Sequence, residues 1–436
     1  MPISARERAA ILKSLAAGVV PSIGLHLIQV GRFDEVAALI HDLDLVQQGG
    51  ASVRFVIGRY GSGKTFFLNL IRTVAQKRKF VVAQADITTE RRLQGSSGQA
   101  KALYCELMRN LSTQAKPDGG ALQNVIERWV GDVDHDVRSN GGNEEVVKRK
   151  FATELRPLQD LVSGYDFVTV ITRYYEGYLN HDERLQDNAV RWLRGEYTAR
   201  TDARQDLGVR TIIDDTSYYD YLKLFARFVR IAGYAGLLVN IDELVVLSHR
   251  LPNTTARNRN YEAILRIIND CLQGRTEGLC FLFAGTDECL EDRRLGLYSY
   301  EALATRLAPN RFATEERQDL QSPVIRLQNL TPEDCFVLLS NIRHVHASGN
   351  PAQYIVPDEA IVEYLKECNE WMGSQCFQTV RRTAQGFVHF LNMLEQDSTR
   401  DWRSMLMRNA SAIRQTLELP DAPDVNADDE LSEFRL

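Results

Sequence analysis

Residues 58–65 read Gly58-Arg59-Tyr60-Gly61-Ser62-Gly63-Lys64-Thr65 and match the pattern G-x-x-x-x-G-K-[ST] at every fixed position. The run at 52–57 before them is largely apolar, as in a buried strand, and helical spacing follows through 66–76. This context predicts a phosphate-binding loop, whose backbone N–H groups face a phosphate at the positive end of the helix. A chance glycine-rich turn is the alternative interpretation.

The loop assigns chemistry to individual residues. Lys64 should reach the β- and γ-phosphates of a nucleotide, and the Thr65 hydroxyl should bind Mg²⁺. The predicted nucleotide contacts in this segment are Gly58, Tyr60, Gly61, Ser62, Gly63, Lys64, Thr65 and Phe66.

A P-loop ATPase also needs an acidic residue where a neighbouring strand ends. Residues 237–243 read Leu-Leu-Val-Asn-Ile-Asp-Glu. We expect Asp242 to order Mg²⁺ with its waters and Glu243 to act as the general base on the attacking water. Asn240 interrupts the apolar run, and a strand ending in a solvated Asp-Glu pair is the alternative. Two adjacent carboxylates with separate tasks favour hydrolysis over nucleotide storage.

Three further residues complete the predicted hydrolytic site. The apolar run 279–285 ends before Thr286, which could contact the γ-phosphate or position water, or could simply cap the strand end. Arg306, and after it Arg311, come just before the last predicted strand. Either arginine could reach the γ-phosphate of a neighbouring subunit and neutralise transition-state charge, or could be an ordinary surface residue.

Composition sets the class of the chain. It has 436 residues, 44% hydrophobic and 25% charged, with a formal net charge of −6, so no global basic excess indicates nucleic-acid or membrane binding. No apolar run approaches a membrane span, and the N-terminal residues show no signal-peptide core. Seven cysteines form no Cys-x-x-Cys pair. We therefore predict a cytoplasmic protein with reduced thiols.

The pieces, in their order along the chain, resemble the AAA+ class of P-loop ATPases. More specifically, segments 16–21, 30–32, 49–65, 233–237 and 298–303 look like the BrxC/BrxD P-loop family of bacterial BREX phage-defence systems. The length suits a BrxD-like member, and the resemblance covers about residues 10–395.

With this resemblance, the sequence predicts an α/β fold: a P-loop AAA+ core with a parallel five-stranded sheet flanked by helices, a large helical insertion and a C-terminal helical lid. The predicted divisions are 1–50, a helical lead-in contributing to the adenine pocket; 51–96, the first part of the core; 97–235, the mostly helical insertion; 236–329, the second part of the core; 330–417, the lid; and 418–436, a flexible acidic tail.

The resemblance implies ATP as the nucleotide, Mg²⁺ as its metal, a homo-oligomer, and DNA or other phage-defence proteins as partners. It implies that the turn at Val20 and Pro21 lies near the adenine. It also implies a sensor arginine in the lid, Arg381 or Arg382, although Val380 replaces the proline usual before that arginine. Related origin-recognition-type initiators carry a winged-helix domain after the lid, and the residues beyond about 400 are too few for one.

Charge adds little to the case for DNA. The basic clusters at 77–79, 148–150, 293–294 and 381–382 are short, and each is typical of a solvated face. Two functions remain open: an AAA+ ATPase that drives or switches assembly on DNA or a partner protein, and a nucleotide-gated scaffold with little turnover. Intact Lys64, Asp242 and Glu243 favour the first.

Overall fold

The computed structural model describes residues 3–313, 319–372, 380–396 and 401–406. Within them, one sheet has the strand order β2-β3-β4-β1-β5, and all its neighbouring strands are parallel. The predicted α/β class with a parallel five-stranded sheet is therefore confirmed. The strands are β1 (Ala51–Ile57), β2 (Val81–Asp86), β3 (Leu237–Asp242), β4 (Leu279–Gly285) and β5 (Val324–Arg326).

Helices flank these strands along the chain. In the described residues they are α1 (Ala5–Ala16), α2 (Leu25–Ile28), α3 (Phe33–Gln47), α4 (Lys64–Lys77), α5 (Gln99–Arg109), α6 (Leu122–Ser139), α7 (Glu144–Gln159), α8 (Gly164–Asn180), α9 (Glu183–Leu193), α10 (Arg200–Leu207), α11 (Tyr218–Ile231), α12 (Val245–His249), α13 (Thr254–Leu272), α14 (Asp287–Glu291), α15 (Glu301–Arg306), α16 (Pro332–His346), α17 (Asp358–Met372) and α18 (Val380–Gln396). Among these helices, none combines the length and apolar content that a membrane span needs.

The strands are apolar because helices cover both faces of a parallel sheet. β3 and β4 are buried along their whole length, and β1 is buried from Ser52 to Ile57. The exception in β1 is Arg54, only 5% exposed, whose guanidinium bonds both carboxylate oxygens of Asp42 on α3 at 2.5 and 2.8 Å. A buried arginine in a central strand is stable only with such a partner.

The chain divides into two compact units. The first, which we call the sheet unit, comprises residues 33–57 and 68–326. It contains the sheet and the helices α5–α11, which lie between β2 and β3 in the chain. Trp129 lies in its core, edge-on to Phe151 and Phe228 with ring centroids 4.6 and 5.3 Å away.

The second unit, which we call the loop unit, comprises residues 1–32, 58–67 and the described residues from 327 onwards. Here α1 packs on α16 and α18, although they are far apart in sequence. Arg8 fastens them, because its Nε donates to the His346 carbonyl at 2.6 Å and its Nη2 to Glu395 at 3.0 Å. α16 begins with Thr331 as its N-cap and Pro332 as its first residue, two residue types that favour a helix start.

The predicted helical lead-in is interrupted between α1 and α3. Only the short α2 lies there, and it starts after Gly24, which has φ 74°. A left-handed residue at that point cannot continue a right-handed helix. The predicted acidic tail, 418–436, lies outside the described residues.

Candidate active site

The loop at 58–65 turns through two left-handed glycines. Gly61 has φ 80° and Gly63 has φ 88°, a backbone conformation that costs a side-chain-bearing residue strain. α4 begins at Lys64, directly after them. The first N–H groups of a helix have no partner within the helix and carry the positive end of its dipole. The backbone therefore has the geometry that a bound phosphate requires.

Gly58 is fixed by close packing. A methyl group there would lie 2.7 Å from Ser62 Oγ and 3.1 Å from the carbonyl oxygen of Leu327. Any side chain at this position would therefore push the loop open.

The Lys64 ammonium lies against the loop itself. Its Nζ donates to the carbonyls of Gly58 and Arg59, at 2.9 Å each. A lysine in this position is a compact cation with three donors, which suits the β- and γ-phosphates of a nucleotide.

Ser62 provides a test of fit for a nucleotide. The residue is 5% exposed, and its hydroxyl makes no hydrogen bond with any residue the structure describes. A buried hydroxyl without a partner costs about 1–3 kcal/mol, and a phosphate oxygen would supply the missing acceptor. The loop residues thus fit a phosphate group.

The remaining loop positions differ in their surroundings. Thr65 is the second residue of α4, where its hydroxyl could join the coordination of Mg²⁺. Phe66, predicted among the nucleotide contacts, packs against the apolar core formed by α1 and α16–α18.

The chain just before the predicted adenine turn is bonded to α18. Pro21 is buried and Val20 is half-buried. Just before them, the Ala16 carbonyl accepts a hydrogen bond from Gln385 Nε2 of α18 at 2.9 Å. Nothing in the sequence around Gln385 indicates this role, because it depends on residues 369 positions apart.

Arg381 of α18, one of the two predicted sensor arginines, lies near the loop at residues 58–65. The Arg381 guanidinium carbon lies 5.9 Å from the centroid of the Tyr60 ring, in the range of a cation–π contact. Gln378 and Thr379, which precede it in the predicted sensor segment, lie outside the described residues. The structure thus brings two predicted nucleotide contacts, Tyr60 and Arg381, together.

Arg32 is a contact of the loop that our sequence reasoning did not assign. Its Nη2 lies 3.5 Å from the Ser62 carbonyl and also bonds the carbonyl of Gln328. Gly31 and Arg32 both have positive φ, 61° and 62°. This tight turn directs the arginine to the loop, and the glycine before it is the signal that could have indicated the turn.

The acidic pair lies at the carboxyl end of β3. Asp242 is 5% exposed, whereas Glu243 is exposed. Glu243 has a left-handed backbone, φ 63°, and its N–H donates to Asp242 Oδ1 at 2.8 Å. Strained backbone at a non-glycine residue is concentrated at functional sites. The arrangement suits one carboxylate that holds a metal and one that meets water.

A second aspartate stands beside Asp242. Asp86 ends β2 and pairs with Asp242 in the parallel register. Burial, and next the Asp242 carboxylate, raise the pKa of Asp86 above its usual value. The sequence reasoning did not assign Asp86, and the signal was its position at the end of the strand next to β3. Two neighbouring carboxylates repel each other unless a cation joins them.

The structure explains why a polar residue, Asn240, interrupts the apolar strand β3. It is fully buried, and its Nδ2 donates to the carbonyl of Leu68 in α4 at 3.4 Å. Its Oδ1 has no hydrogen-bond partner among the described residues. The polar interruption of β3 therefore ties that strand to α4.

Thr286 occupies the cap position that was the alternative interpretation. It is the N-cap of α14, and its Oγ1 accepts the Cys289 N–H at 3.2 Å. Its hydroxyl hydrogen remains available for donation, since the cap uses only a lone pair. Asp287, the next residue, accepts from Arg326 Nη1 at 3.0 Å.

The two candidate arginines have different surroundings. Arg306 ends α15, and its guanidinium is engaged within its own subunit: Nε donates to Asn269 Oδ1 at 3.0 Å and Nη1 to the Ala302 carbonyl at 2.9 Å. Arg311 lies on an exposed turn beyond the helix. Both arginines are exposed, and the hydrogen bonds of Arg306 link it to α13 and to its own helix.

Comparison with protein-family models identifies a family that the chain matches. The model of the family described as BREX system ATP-binding protein BrxC/D matches residues 3–410. Among curated proteins, none matches the chain. The family match spans the lead-in, the phosphate loop, the acidic strand end and α18 together.

Proposed function

The chain belongs to the BrxC/BrxD family of BREX system ATP-binding proteins, and from this premise we propose that it hydrolyses Mg-ATP to drive or switch assembly on DNA or on another phage-defence protein. An ATP-binding role in phage defence follows from the family itself. Hydrolysis, the use of Mg²⁺ and assembly are the proposal.

In this proposal, residues of the loop unit bind the nucleotide. Lys64, the N–H groups of the loop and the Ser62 hydroxyl would hold the phosphates. Val20 and Pro21 would lie against the base, and Arg381 would add charge from the lid. A bound Mg²⁺ would neutralise phosphate charge, with Thr65 and Asp242 as its protein ligands.

The observation that carries the proposal is the contrast between the two carboxylates at the end of β3. Asp242 is buried and Glu243 is exposed. A general base needs contact with water, and a metal ligand needs a fixed position. Glu243 would therefore orient and deprotonate the attacking water, while Thr286 would donate to the γ-phosphate or to that water.

We further propose that hydrolysis requires a homo-oligomer, because an arginine from a second copy would complete each site. Arg306 and Arg311 are the candidates. Such an arginine is worth about 10³–10⁵ in turnover in other P-loop enzymes.

ATP turnover and nucleotide binding of Lys64→Ala test the proposal. Lys77→Ala is the matched control, because Lys77 is an exposed lysine at the other end of α4. We expect Lys64→Ala to lose binding or turnover while it stays folded, and Lys77→Ala to behave as wild type. A folded Lys64→Ala protein with wild-type turnover would refute the assignment. Wild-type protein that binds ATP without measurable turnover, at all protein concentrations and with DNA added, would instead support a nucleotide-gated scaffold.

A further inference from the structure

The short helix α14 carries Thr286 at its start. α14 comprises Asp287–Glu291, and Thr286 is its N-cap, whose Oγ1 accepts the Cys289 N–H at 3.2 Å. A helix of little more than one turn gains too few hydrogen bonds to be stable alone, so its position depends on contacts with other elements. The direction of the Thr286 hydroxyl therefore depends on what holds α14 in place.

Arg326 of β5 makes two contacts that hold α14. Its Nη1 donates to Asp287 Oδ1 at 3.0 Å, and its Nη2 donates to Glu291 Oε1 at 2.5 Å. Asp287 and Glu291 are the first and last residues of α14, and their i, i+4 spacing places them on one face of the helix. Two carboxylates at this spacing repel each other, so a guanidinium that bonds both stabilises the helix and fixes it to β5. We call this pair of contacts the Arg326 bridge.

The sheet fixes the other end of the bridge. Arg326 is the last residue of β5 and pairs with Ile57, the last residue of β1. Ile57 pairs in turn with Gly285, the residue before Thr286. The Arg326 bridge therefore joins β5 to the helix that follows β4, and these two strands lie on either side of β1.

The segment of the proposed general base lies against the strand that leads to Thr286. The N–H of Leu244, which follows Glu243, donates to the Ala284 carbonyl of β4 at 3.0 Å. A methyl group on Gly285 would lie 3.3 Å from Leu244 Cβ. Leu244 and the end of β4 are thus in contact, so a displacement of α14 would move Thr286 relative to Glu243.

We propose that Arg326 is a positioning residue for ATP hydrolysis: the Arg326 bridge holds α14 so that the Thr286 hydroxyl donates to the γ-phosphate or to the attacking water. This inference rests on the proposed function. It deepens that function by naming the residue that orients Thr286. The bridge also engages Asp287, a carboxylate that would otherwise be a second candidate for the general base.

A positioning role predicts a different result from a contribution to stability. The side chains of Arg326 and Asp287 are 32% and 35% exposed, and ion pairs in contact with water add little to the free energy of unfolding. Loss of the bridge should therefore leave the protein folded. A misplacement of about 1 Å can cost about 10²-fold in rate, so ATP turnover is the sensitive measurement.

Steady-state ATP turnover of Arg326→Gln tests the bridge. We expect kcat to fall about tenfold to a hundredfold while the KM for ATP stays unchanged, because the guanidinium bonds α14 and acts through Thr286. Arg326→Lys retains the charge but has one ammonium in place of the forked guanidinium, so its kcat should be intermediate. Arg293→Gln is the matched control and should equal wild type, because Arg293 is an exposed arginine that lies just beyond α14 and outside the bridge.

A double variant separates positioning from general damage. If Arg326 acts through Thr286, Thr286→Val should lower kcat at least as much as Arg326→Gln does, and the combined variant should lose no more than Thr286→Val alone. Losses that multiply in the combined variant would overturn the proposal. Wild-type kcat in Arg326→Gln would overturn it as well, and so would a raised KM with unchanged kcat, which would assign the guanidinium to nucleotide binding.

Two substitutions on α14 provide a second test if Arg326→Gln does not fold. Asp287→Asn combined with Glu291→Gln removes the same ion pairs from the side of the helix. This variant should show the same loss of kcat with unchanged KM, and wild-type kcat in it would overturn the proposal.

The failure of the proposed function gives a different result. If wild-type protein does not hydrolyse ATP, amide hydrogen exchange at residues 286–291 still tests the bridge. Faster exchange there in Arg326→Gln than in wild type supports the bridge, and unchanged exchange overturns it. If wild-type protein hydrolyses ATP and the bridge variants equal it, the inference fails while the proposed function stands.

Discussion

The two units of this chain offer opposite chemistry. The loop unit presents donors and positive charge around residues 58–65, namely Lys64, the unsatisfied Ser62 hydroxyl, Arg32 and Arg381. The sheet unit presents carboxylates where β2 and β3 end, at Asp86, Asp242 and Glu243. The first set of groups complements an anion, whereas the second set is acidic.

The two units also contain buried polar groups with different hydrogen bonding. In the sheet unit, the buried Arg54 forms a bidentate contact with Asp42. In the loop unit, the buried Ser62 hydroxyl has no partner among the described residues and lies in the predicted phosphate loop, where a ligand would complete its hydrogen bonds.

The largest expected effect is on ATP turnover and comes from replacing Glu243, the proposed general base. Glu243→Gln should retain ATP binding, because Lys64, Thr65 and Asp242 remain, while turnover falls by about 10²–10⁴-fold through loss of the base. Parallel measurements of ATP affinity and single-turnover hydrolysis check this. The variant should accumulate the ATP-bound form and any ATP-dependent oligomer. Wild-type turnover would assign the base to another residue.

The next effect concerns the stability of the sheet unit. Arg54→Leu leaves Asp42 buried without its partner, which costs about 3–5 kcal/mol in comparable buried pairs. The double variant Asp42→Leu/Arg54→Leu should recover most of this loss. Denaturant unfolding of the single and double variants checks the coupling. Equal stability of the single and double variants would mean that the charge pair contributes little.

A smaller effect distinguishes the two lid arginines. Arg381→Ala should weaken ATP binding about two- to fivefold, because it loses a partly exposed cation–π contact with Tyr60 that is worth about 0.5–1 kcal/mol. Arg382→Ala is the matched control and should bind ATP as wild type does. Titration with a fluorescent ATP analogue measures both. A larger loss in Arg382→Ala would reverse the assignment.

The smallest effect is a pH dependence of the loop unit. Burial lowers the pKa of His346, with Arg8 reinforcing and Glu395 opposing the shift. Below about pH 6.5 the unfolded chain therefore binds a proton at this histidine that the folded chain excludes. Stability should be full above that pH and fall as the pH drops, by at most about 1.4 kcal/mol per pH unit. His346→Gln should flatten this slope in thermal unfolding between pH 5 and 7.5; an unchanged slope would assign it to another group.

Sequence patterns were sufficient to predict features that depend on residues adjacent in the chain. The phosphate loop needs glycines and a lysine at fixed spacing, so its residues can be recognised in one continuous segment. Buried parallel strands are apolar because both faces are covered, so the runs that contain β1, β3 and β4 could be recognised. Thr331 and Pro332 likewise mark the start of α16 through neighbouring residues alone.

Other contacts exist only because distant segments meet. Asp86 acquires its place from the register of β2 against β3, and Gln385 from the packing of α18 near Ala16. Arg54 lies in an otherwise largely apolar run, and its partners Asp42, Leu320 and Ser322 come from segments distant in the chain. Arg306 and Arg311 differ little in sequence context, and only the surroundings of each side chain separate them. The sequence by itself determined the strands, the phosphate loop and the acidic pair, because these depend on neighbours along the chain. The tertiary structure decided which remote side chains support them, because burial and partners depend on contacts that no local pattern encodes.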